Sequence, residues 1–325
     1  MRILATAPLR GPGLDQLRRM GEVIEEPWIT GPTSAMTLLR DEQLAARVEA
    51  LGADVVICEA DSVKAATLAQ PLRAVGSTRG DPTNVDLTEA TRRGVPVLRA
   101  PGRNADGVAE LAVALTLACT RGVVAADADV RAGQIYREGT IPYQRFRAWQ
   151  LAGRTVGLVG LGAVGRAAAW RFGGLGMRVL SHDPFAPDAT HPDLDAMLAE
   201  SDVVSVHAAV TPETVGLLSA ERFAHMPAGS VYVNTARAAI HDLDALTAAL
   251  ASGHLGAAAL DHFEGEAIAT DHPLVGMPNV VLTPHIGGAT YDTEANHTQA
   301  MADGLAMLLE GKRPPNLVNP DVVPS

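Results

Sequence analysis

Three side chains suited to acid–base and anion chemistry follow successive apolar runs in the last third of the chain. They are Arg237, Glu266 and His285. Histidine has an unperturbed pKa near neutrality, and a nearby carboxylate would orient its ring and favour its charged form. Arginine binds a carboxylate or a developing alkoxide by paired hydrogen bonds. The three side chains together are therefore suited to transfer a proton to or from a hydroxyl group of a substrate whose anionic group is bound by the arginine.

The apolar runs that precede these residues predict the strands of a parallel sheet. The runs 201–207, 229–234, 256–261 and 279–285 alternate with segments of helical spacing, such as 240–252, which ends at Gly253. With two earlier strands they predict a doubly wound α/β sheet. Ligands of such a sheet bind beyond the carboxyl ends of its strands, so the three side chains stand where chemistry is expected.

The first of the earlier strands runs into the spacing Gly160-x-Gly162-x-x-Gly165. A strand, a tight glycine turn and a helix in this order bind a dinucleotide pyrophosphate. We expect Gly160 to adopt positive φ and Gly162 to let the phosphates approach the backbone. Gly165 should let the helix pack on the strand, and the helix N-terminus offers N–H groups to the anion.

The next strand, residues 177–183, ends in Asp183, about twenty residues after the glycines. A carboxylate at this position accepts hydrogen bonds from the adenosine ribose and repels a 2′-phosphate, so the sequence predicts NAD and not NADP. The alternative is an ordinary strand-to-helix turn followed by a solvated aspartate.

The first hundred residues predict a smaller α/β domain. Strands are expected at 3–7, 54–58, 73–77 and 95–98, with helices at 36–50 and 85–93. Pro101 and Gly102 then break the chain, and Asn104 is expected to cap a long apolar helix. We place the crossing into a second domain there.

Composition limits the classes of partner. A chain of 325 residues predicts two domains, and a net charge of −11 argues against nucleic acid or an anionic membrane. Glu110 and Arg121 make the apolar stretch 107–126 a buried helix rather than a membrane span. Cys58 and Cys119 lie in apolar runs and are expected to be buried thiols of a cytoplasmic protein.

Several features can also be explained without a role in catalysis or ligand binding. The aromatic stretch 136–149 could pack on a partner subunit or wrap its own domain. His182, His207 and His262 occur singly and no metal-binding spacing is present, so we expect a metal-free site. Taken alone, Arg237 could be a surface ion-pair partner, His285 a packing residue, and Glu264 and Glu266 solvated loop acids.

Several long segments resemble the D-isomer-specific 2-hydroxyacid dehydrogenases over nearly the whole chain. These segments are 84–110, 157–165, 233–237, 259–266 and 283–290, in the family's order. The resemblance implies a Rossmann doubly wound sheet (101–286) inserted into a smaller flavodoxin-like α/β substrate domain (1–100 plus 287–325). It also implies a homodimer, and hydride transfer between NAD and the second carbon of a small 2-oxo or 2-hydroxy acid, with substrate in the cleft between domains.

The resemblance carries roles over by position. It makes Arg237 the substrate-binding arginine, Glu266 the acid paired with the histidine and His285 the acid/base, with Ala267 where the family usually has proline. The loop that would meet the substrate carboxylate is Ser77, Thr78, Arg79 and Gly80. The residues expected to bind the cofactor are Gly160, Gly162, Ala163, Val164, Gly165, Asp183, His207, Thr235, Ala236, Asp261 (on the nicotinamide amide) and Gly287.

Alternatives remain within and outside this class. Phosphoglycerate dehydrogenases place arginine where Ser77 stands, although Arg79 could compensate. Phosphite dehydrogenases keep the arginine, acid and histidine, whereas formate dehydrogenases have an amide where Glu266 stands, which counts against formate. A non-enzymatic NAD-sensing corepressor also resembles the family, but the short tail after residue 311 does not favour it.

Overall fold

Two parallel β-sheets, each accompanied by helices, make up the structure, and the predicted α/β class is confirmed. The computed structural model describes residues 1–31 and 34–323. They form two compact units, residues 1–103 with the described residues from 290 onward, and residues 104–289. Each junction lies three residues from a predicted domain boundary. The predicted substrate domain also includes residues 32, 33, 324 and 325, which lie outside the described residues.

The sheet of the first unit has five parallel strands in the order β2-β1-β3-β4-β5. This is the flavodoxin-like order that the family resemblance implied. Its central strands are apolar because helices cover both faces of a parallel sheet, and β3 is buried throughout. The elements are β1 (Arg2–Ala5), α1 (Pro12–Met20), β2 (Glu22–Glu25), α2 (Asp41–Leu51), β3 (Val55–Cys58), α3 (Ala65–Leu68), β4 (Ala74–Ser77), α4 (Leu87–Arg92) and β5 (Val97–Leu98).

Two features of this unit differ from the prediction. Strand β2 was not predicted, because it is an edge strand with an exposed glutamate at each end and no buried residue. The helix expected from residue 36 begins at Asp41. The preceding segment is held out of the helix because the Thr37 N–H donates to the Trp28 carbonyl, and the Leu39 N–H donates to the Asp61 carboxylate.

The sheet of the second unit has six parallel strands in the order β11-β10-β9-β8-β6-β7. Strand β6 lies between β7 and β8, so the strand order reverses beside it, and this switch point is where a doubly wound sheet binds its ligand. The elements are α5 (Ala105–Arg121), α6 (Val123–Arg131), α7 (Pro142–Arg145), β6 (Thr155–Val159), α8 (Ala163–Gly174), β7 (Arg178–His182), α9 (Leu194–Ala199), β8 (Val203–Val206), α10 (Ala220–His225), β9 (Val231–Asn234), α11 (Leu243–Ala251), β10 (Ala257–Leu260), α12 (Pro273–Gly276) and β11 (Val280–Leu282).

Helix α5 is the long apolar helix that the sequence predicted, but it ends at Arg121, and the last residues of the predicted stretch 107–126 lie in α6, where Val123 and Val124 are exposed. Its residues Ala109 and Leu115 are buried in the core beneath β6. Asn104 precedes the helix, but its side chain makes no capping hydrogen bond, so that part of the prediction is wrong. No single described helix is long and apolar enough to cross a membrane. Helices α5 and α6 pass that test of length and composition only as a pair, which bends by 63° at the break.

The chain returns to the first unit through α13 (Tyr291–Leu309). Met301 and Leu305 of this helix are buried with Ile3 and Leu98 of the first sheet. The helix also lies close to α1, because a Cβ atom built on Gly13 would lie only 2.6 Å from the Gln299 backbone nitrogen. The first unit is therefore built from the segments that precede and follow the second unit in the sequence.

Candidate active site

The glycine turn after β6 is closed by backbone contacts that tolerate no side chain at two positions. Gly160 has φ +96°, and a Cβ there would lie 2.7 Å from the backbone nitrogen of Ala208, which follows β8. A Cβ on Gly165 would lie 2.1 Å from the Gly160 carbonyl oxygen. The positive φ of Gly160 and the close packing of Gly165 are thus confirmed.

The third glycine has the opposite environment. A Cβ built on Gly162 would meet no described atom within 4 Å, and both Gly162 and Ala163 are exposed. Helix α8 begins at Ala163, with Val164 next, and its first turn contains no acidic residue. Its free N–H groups therefore face open space, where an anion would be stabilised by the helix dipole.

Asp183 is bound to the glycine turn as well as following β7. Its Oδ2 accepts a hydrogen bond from the Leu161 N–H at 2.7 Å, and its Oδ1 accepts one from the Phe185 N–H at 2.9 Å. A carboxylate oxygen can accept two hydrogen bonds, so each retains a site for a ribose hydroxyl. The acid thus connects the turn to the end of the next strand.

Two further predicted cofactor residues have buried polar atoms without a protein partner. His207 follows β8 and Thr235 follows β9. Neither the His207 Nδ1 nor the Thr235 Oγ1 has a hydrogen-bond partner among the described residues. Burial lowers the pKa of His207 to about 4, and its Nε2 is bonded to Ser205. Ala236 beside Thr235 donates its N–H to Asn234. Buried polar atoms without a partner, at the carboxyl ends of the strands, are suited to bind a polar ligand such as a dinucleotide.

The structure brings Glu266 and His285, the predicted acid and histidine, into direct contact. The His285 Nδ1 lies 3.1 Å from the Glu266 Oε1. Both residues are non-glycine residues in the left-handed region, with φ +57° and +55°. Such conformations cost free energy and cluster at functional sites. The side chains are 57% and 43% exposed, so burial alone does not fix their orientation.

Asp261 fixes the backbone of the loop that carries His285. It is 1% exposed, and its Oδ1 accepts from the Thr283 hydroxyl at 2.6 Å and from the Ile286 N–H at 2.9 Å. Its Oδ2 accepts from the Gly287 N–H at 2.8 Å. One accepting site on Oδ2 remains for the predicted contact with a nicotinamide amide. The sequence did not predict this role in holding the loop.

Arg237 is exposed and directed toward its own backbone. Its Nη1 donates to the Ala236 carbonyl at 2.6 Å. It makes no hydrogen bond to Glu266 or His285 among the described residues. Its positive charge nevertheless helps to lower the pKa of His262, after the larger effects of burial and of His285, so the guanidinium lies within electrostatic range of the pair.

His262 is the residue of this site that the sequence reasoning passed over. Its ring centroid lies 3.9 Å from that of His285, and its Nε2 lies 3.6 Å from the Glu266 Oε1. The available signal was a histidine directly after the apolar run 256–261 and four residues before Glu266. The three side chains also offer potential metal-binding atoms within 4.8 Å of one another, so the metal-free site stays a prediction.

The loop predicted to meet a substrate carboxylate belongs to the first unit. Ser77 and Thr78 are fully buried, and the Ser77 hydroxyl is bonded to Asn84, whereas the Thr78 Oγ1 has no partner among the described residues. No described acceptor takes the backbone N–H groups of Arg79 and Gly80, which are half-buried. The open donors of this loop are therefore backbone groups and Thr78, and not the Ser77 side chain.

Comparison with known proteins identifies the class to which this fold and site belong. Residues 113–287 match the model of the D-isomer specific 2-hydroxyacid dehydrogenase NAD-binding domain. The chain belongs to the D-isomer specific 2-hydroxyacid dehydrogenase family. It is an NAD-dependent oxidoreductase of the 2-hydroxyacid dehydrogenase class.

The relatives differ in their reactions and lengths. The chain is 34% identical to a glyoxylate reductase of Thermofilum pendens over 99% of this chain and 95% of that protein. This chain is also 34% identical to a D-3-phosphoglycerate dehydrogenase of Archaeoglobus fulgidus. The match covers 100% of this chain but only 60% of that protein. Among solved structures, the TT0316 protein of Thermus thermophilus shares 37% identity and a TM-score of 0.80, covering 98% of this chain and 100% of that one.

Proposed function

We propose that the enzyme interconverts a small 2-oxoacid and its D-2-hydroxyacid, working in cells as a reductase, with His285 as the general acid/base. The hydrogen-bonded pair of Glu266 and His285 at the strand ends carries this proposal. Glyoxylate is the first substrate to test, because a relative named glyoxylate reductase is covered almost end to end.

The contact with Glu266 supports one assignment of the His285 nitrogen that would handle the proton. A carboxylate only accepts hydrogen bonds, so the His285 Nδ1 carries the hydrogen on that side of the ring. The Nε2 is then the atom that gives a proton to the substrate oxygen during reduction and takes it back during oxidation. Glu266 orients the ring and stabilises the charged imidazolium.

Arg237 is proposed to hold the substrate. Its guanidinium is exposed and bound only to the neighbouring Ala236 carbonyl, so it can turn to a carboxylate or developing alkoxide at little cost. The free N–H groups of Arg79 and Gly80 and the Thr78 hydroxyl are proposed as further donors to the substrate's carboxylate. This second assignment rests on the resemblance and on those open donors.

The cofactor site fits the proposed chemistry. Bound in its reduced form, NADH, the cofactor would supply the hydride for the reduction and, as NAD⁺, would take it back in the reverse direction. We propose that the turn at Gly160–Gly165 and the N-terminus of α8 hold the pyrophosphate and that Asp183 holds the ribose. His207, Thr235, Ala236, Asp261 and Gly287 are proposed to line the nicotinamide end.

We also propose a homodimer in the cytoplasm. The segment 123–149 exposes large apolar side chains, including Tyr136, Tyr143 and Trp149, each at least 70% exposed, and a second copy would cover them. Cys58 and Cys119 are free thiols, and burial raises the pKa of both to about 12, which suits a reducing compartment.

The test is a substrate screen with the wild-type enzyme and one variant. Glyoxylate, hydroxypyruvate, pyruvate and the phosphorylated hydroxypyruvate are assayed with NADH and NADPH, and phosphite with NAD. For the true substrate, His285→Ala should lower turnover by roughly two to four powers of ten. Near-normal turnover of this variant would refute the role of His285, and activity with phosphite alone would replace the proposed substrate class.

A further inference from the structure

His262 is a buried residue that packs against the pair formed by Glu266 and His285. It follows β10 by two residues and its side chain is 10% exposed, whereas the side chains of Glu266 and His285 are 57% and 43% exposed. The rings of His262 and His285 are tilted by 47° with their centroids 3.9 Å apart. The buried imidazole thus covers one face of the exposed one.

One nitrogen of His262 is buried without a hydrogen bond. Its Nε2 has no partner among the described residues and lies 3.6 Å from the Glu266 Oε1. The same carboxylate oxygen lies 3.1 Å from the His285 Nδ1. Oε1 of Glu266 is therefore flanked by two imidazoles, and a shift of a few tenths of an ångström would bring the second within hydrogen-bonding distance.

The surroundings favour the neutral form of His262. Burial lowers its pKa, as do the nearby charges of His285 and Arg237, while Glu266 and the Phe263 backbone act in the opposite direction. A neutral imidazole carries one hydrogen, and the position facing a carboxylate is the Nε2. His262 is thus suited to donate to Glu266 without competing for the proton that His285 moves.

We propose that His262 is a positioning residue, which donates from Nε2 to Glu266 and packs on the ring of His285, so that the exposed pair stays aligned for proton transfer. This inference rests on the proposed function of His285. The hydrogen bond would also disperse the charge of the Glu266 carboxylate and so weaken its hold on the imidazolium of His285.

The experiment separates the donor from the ring. His262→Phe keeps a ring and removes the donor, His262→Gln keeps an amide N–H near the Nε2 position, and His262→Leu is a second variant without a donor. His225→Phe is the matched control, because the His225 Nδ1 lies 3.7 Å from an Asp195 carboxylate oxygen in helices outside the site. For each variant, kcat and the KM for the 2-oxoacid are measured across the pH range, with thermal melting as a check of folding.

We expect His262→Phe and His262→Leu to lower kcat roughly tenfold with little change in KM, because the pair loses its alignment. Without the dispersing donor, Glu266 holds the imidazolium more strongly, so the midpoint of the pH profile for reduction should move to higher pH, by about half a unit. His262→Gln should restore the wild-type midpoint, and His225→Phe should change neither quantity.

A second readout does not depend on turnover. The ring signals of His285, assigned with the His285→Ala variant, are titrated by NMR in the enzyme without cofactor, and their midpoint should shift in the same direction in His262→Phe. Folded variants with an unchanged profile and titration would overturn the inference, even if kcat fell, because only a structural role would remain. If His285→Ala itself retains turnover, the proposed function fails first.

Discussion

Substituting alanine at two positions of one turn should separate cofactor binding from stability. Gly162 and Gly165 are three residues apart, at the start of helix α8. The added Cβ at Gly162 points into open space, whereas at Gly165 it lies 2.1 Å from the Gly160 carbonyl oxygen. The same methyl group therefore has different consequences at the two positions.

For Gly165→Ala the helix must move away from the turn. The Cβ–oxygen distance is more than 1 Å short of the 3.4 Å at which ordinary van der Waals contact begins. Overpacking of this kind costs about 1–3 kcal/mol. Because a domain of this size loses roughly 2–4 °C of melting temperature per kcal/mol, thermal unfolding should occur several degrees lower.

For Gly162→Ala the protein itself should be nearly unaffected. The backbone there has φ −69° and ψ −162°, which alanine adopts without strain, and the weaker N-cap costs at most about 1 kcal/mol. The methyl group would, however, fill the space proposed for the pyrophosphate. We expect the Kd for NADH to rise about tenfold or more, which corresponds to about 1.4 kcal/mol.

Fluorescence titration with NADH and thermal unfolding of both variants provide the measurement. Wild-type affinity of Gly162→Ala would refute the placement of the cofactor at this turn. Wild-type stability of Gly165→Ala would refute the packing argument, since the clash could then be relieved without cost. The two outcomes are independent, because one concerns the ligand and the other the helix.

Three more changes test other parts of the site. Asp261→Asn should lower kcat about tenfold, because an amide cannot accept on both sides from the His285 loop, and a wild-type kcat would contradict this. Asp183→Asn should lower the preference for NADH over NADPH in kcat/KM by about tenfold, since the repelling charge is gone. Burial lowers the pKa of His207 and His241 to about 4, so the unfolded chain binds protons at a higher pH than the folded protein does. In urea unfolding, the contribution of these two histidines to the free energy of unfolding should be complete above pH 6.5 and should be lost as the pH falls toward 4. The loss should be smaller in His241→Phe.

The parts of the fold that follow a repeating pattern could be predicted from the sequence. Buried parallel strands such as β3 are continuous apolar runs, and the glycines of the turn have a fixed spacing. The edge strand β2 carries no such pattern, because it has no buried residue. Likewise the start of α2 depends on hydrogen bonds from Thr37 and Leu39 to residues distant in sequence, which spacing does not reveal.

The residue types of the site could be predicted, but their contacts could not. Strand order places the segments that carry Glu266 and His285 at neighbouring strand ends, and the structure shows these two side chains in contact. The contact itself depends on two left-handed backbone conformations that no residue preference indicates, since neither residue is glycine. The carboxylate of Asp261 compensates one of them by binding the loop on both sides of His285.

The pair proposed to transfer the proton and the residues proposed to hold it are therefore of different kinds. Glu266 and His285 are exposed and have left-handed backbone conformations, whereas Asp261 and His262 are buried just after β10. Asp261 binds the backbone of the loop that carries His285, and the ring of His262 packs on the ring of His285. A side chain that must reach substrate cannot be fixed by burial, so its geometry has to be fixed by hydrogen bonds and packing from residues that never touch the substrate. In this enzyme, variation at positions 261 and 262 should change the rate of proton transfer without changing which oxoacid is bound.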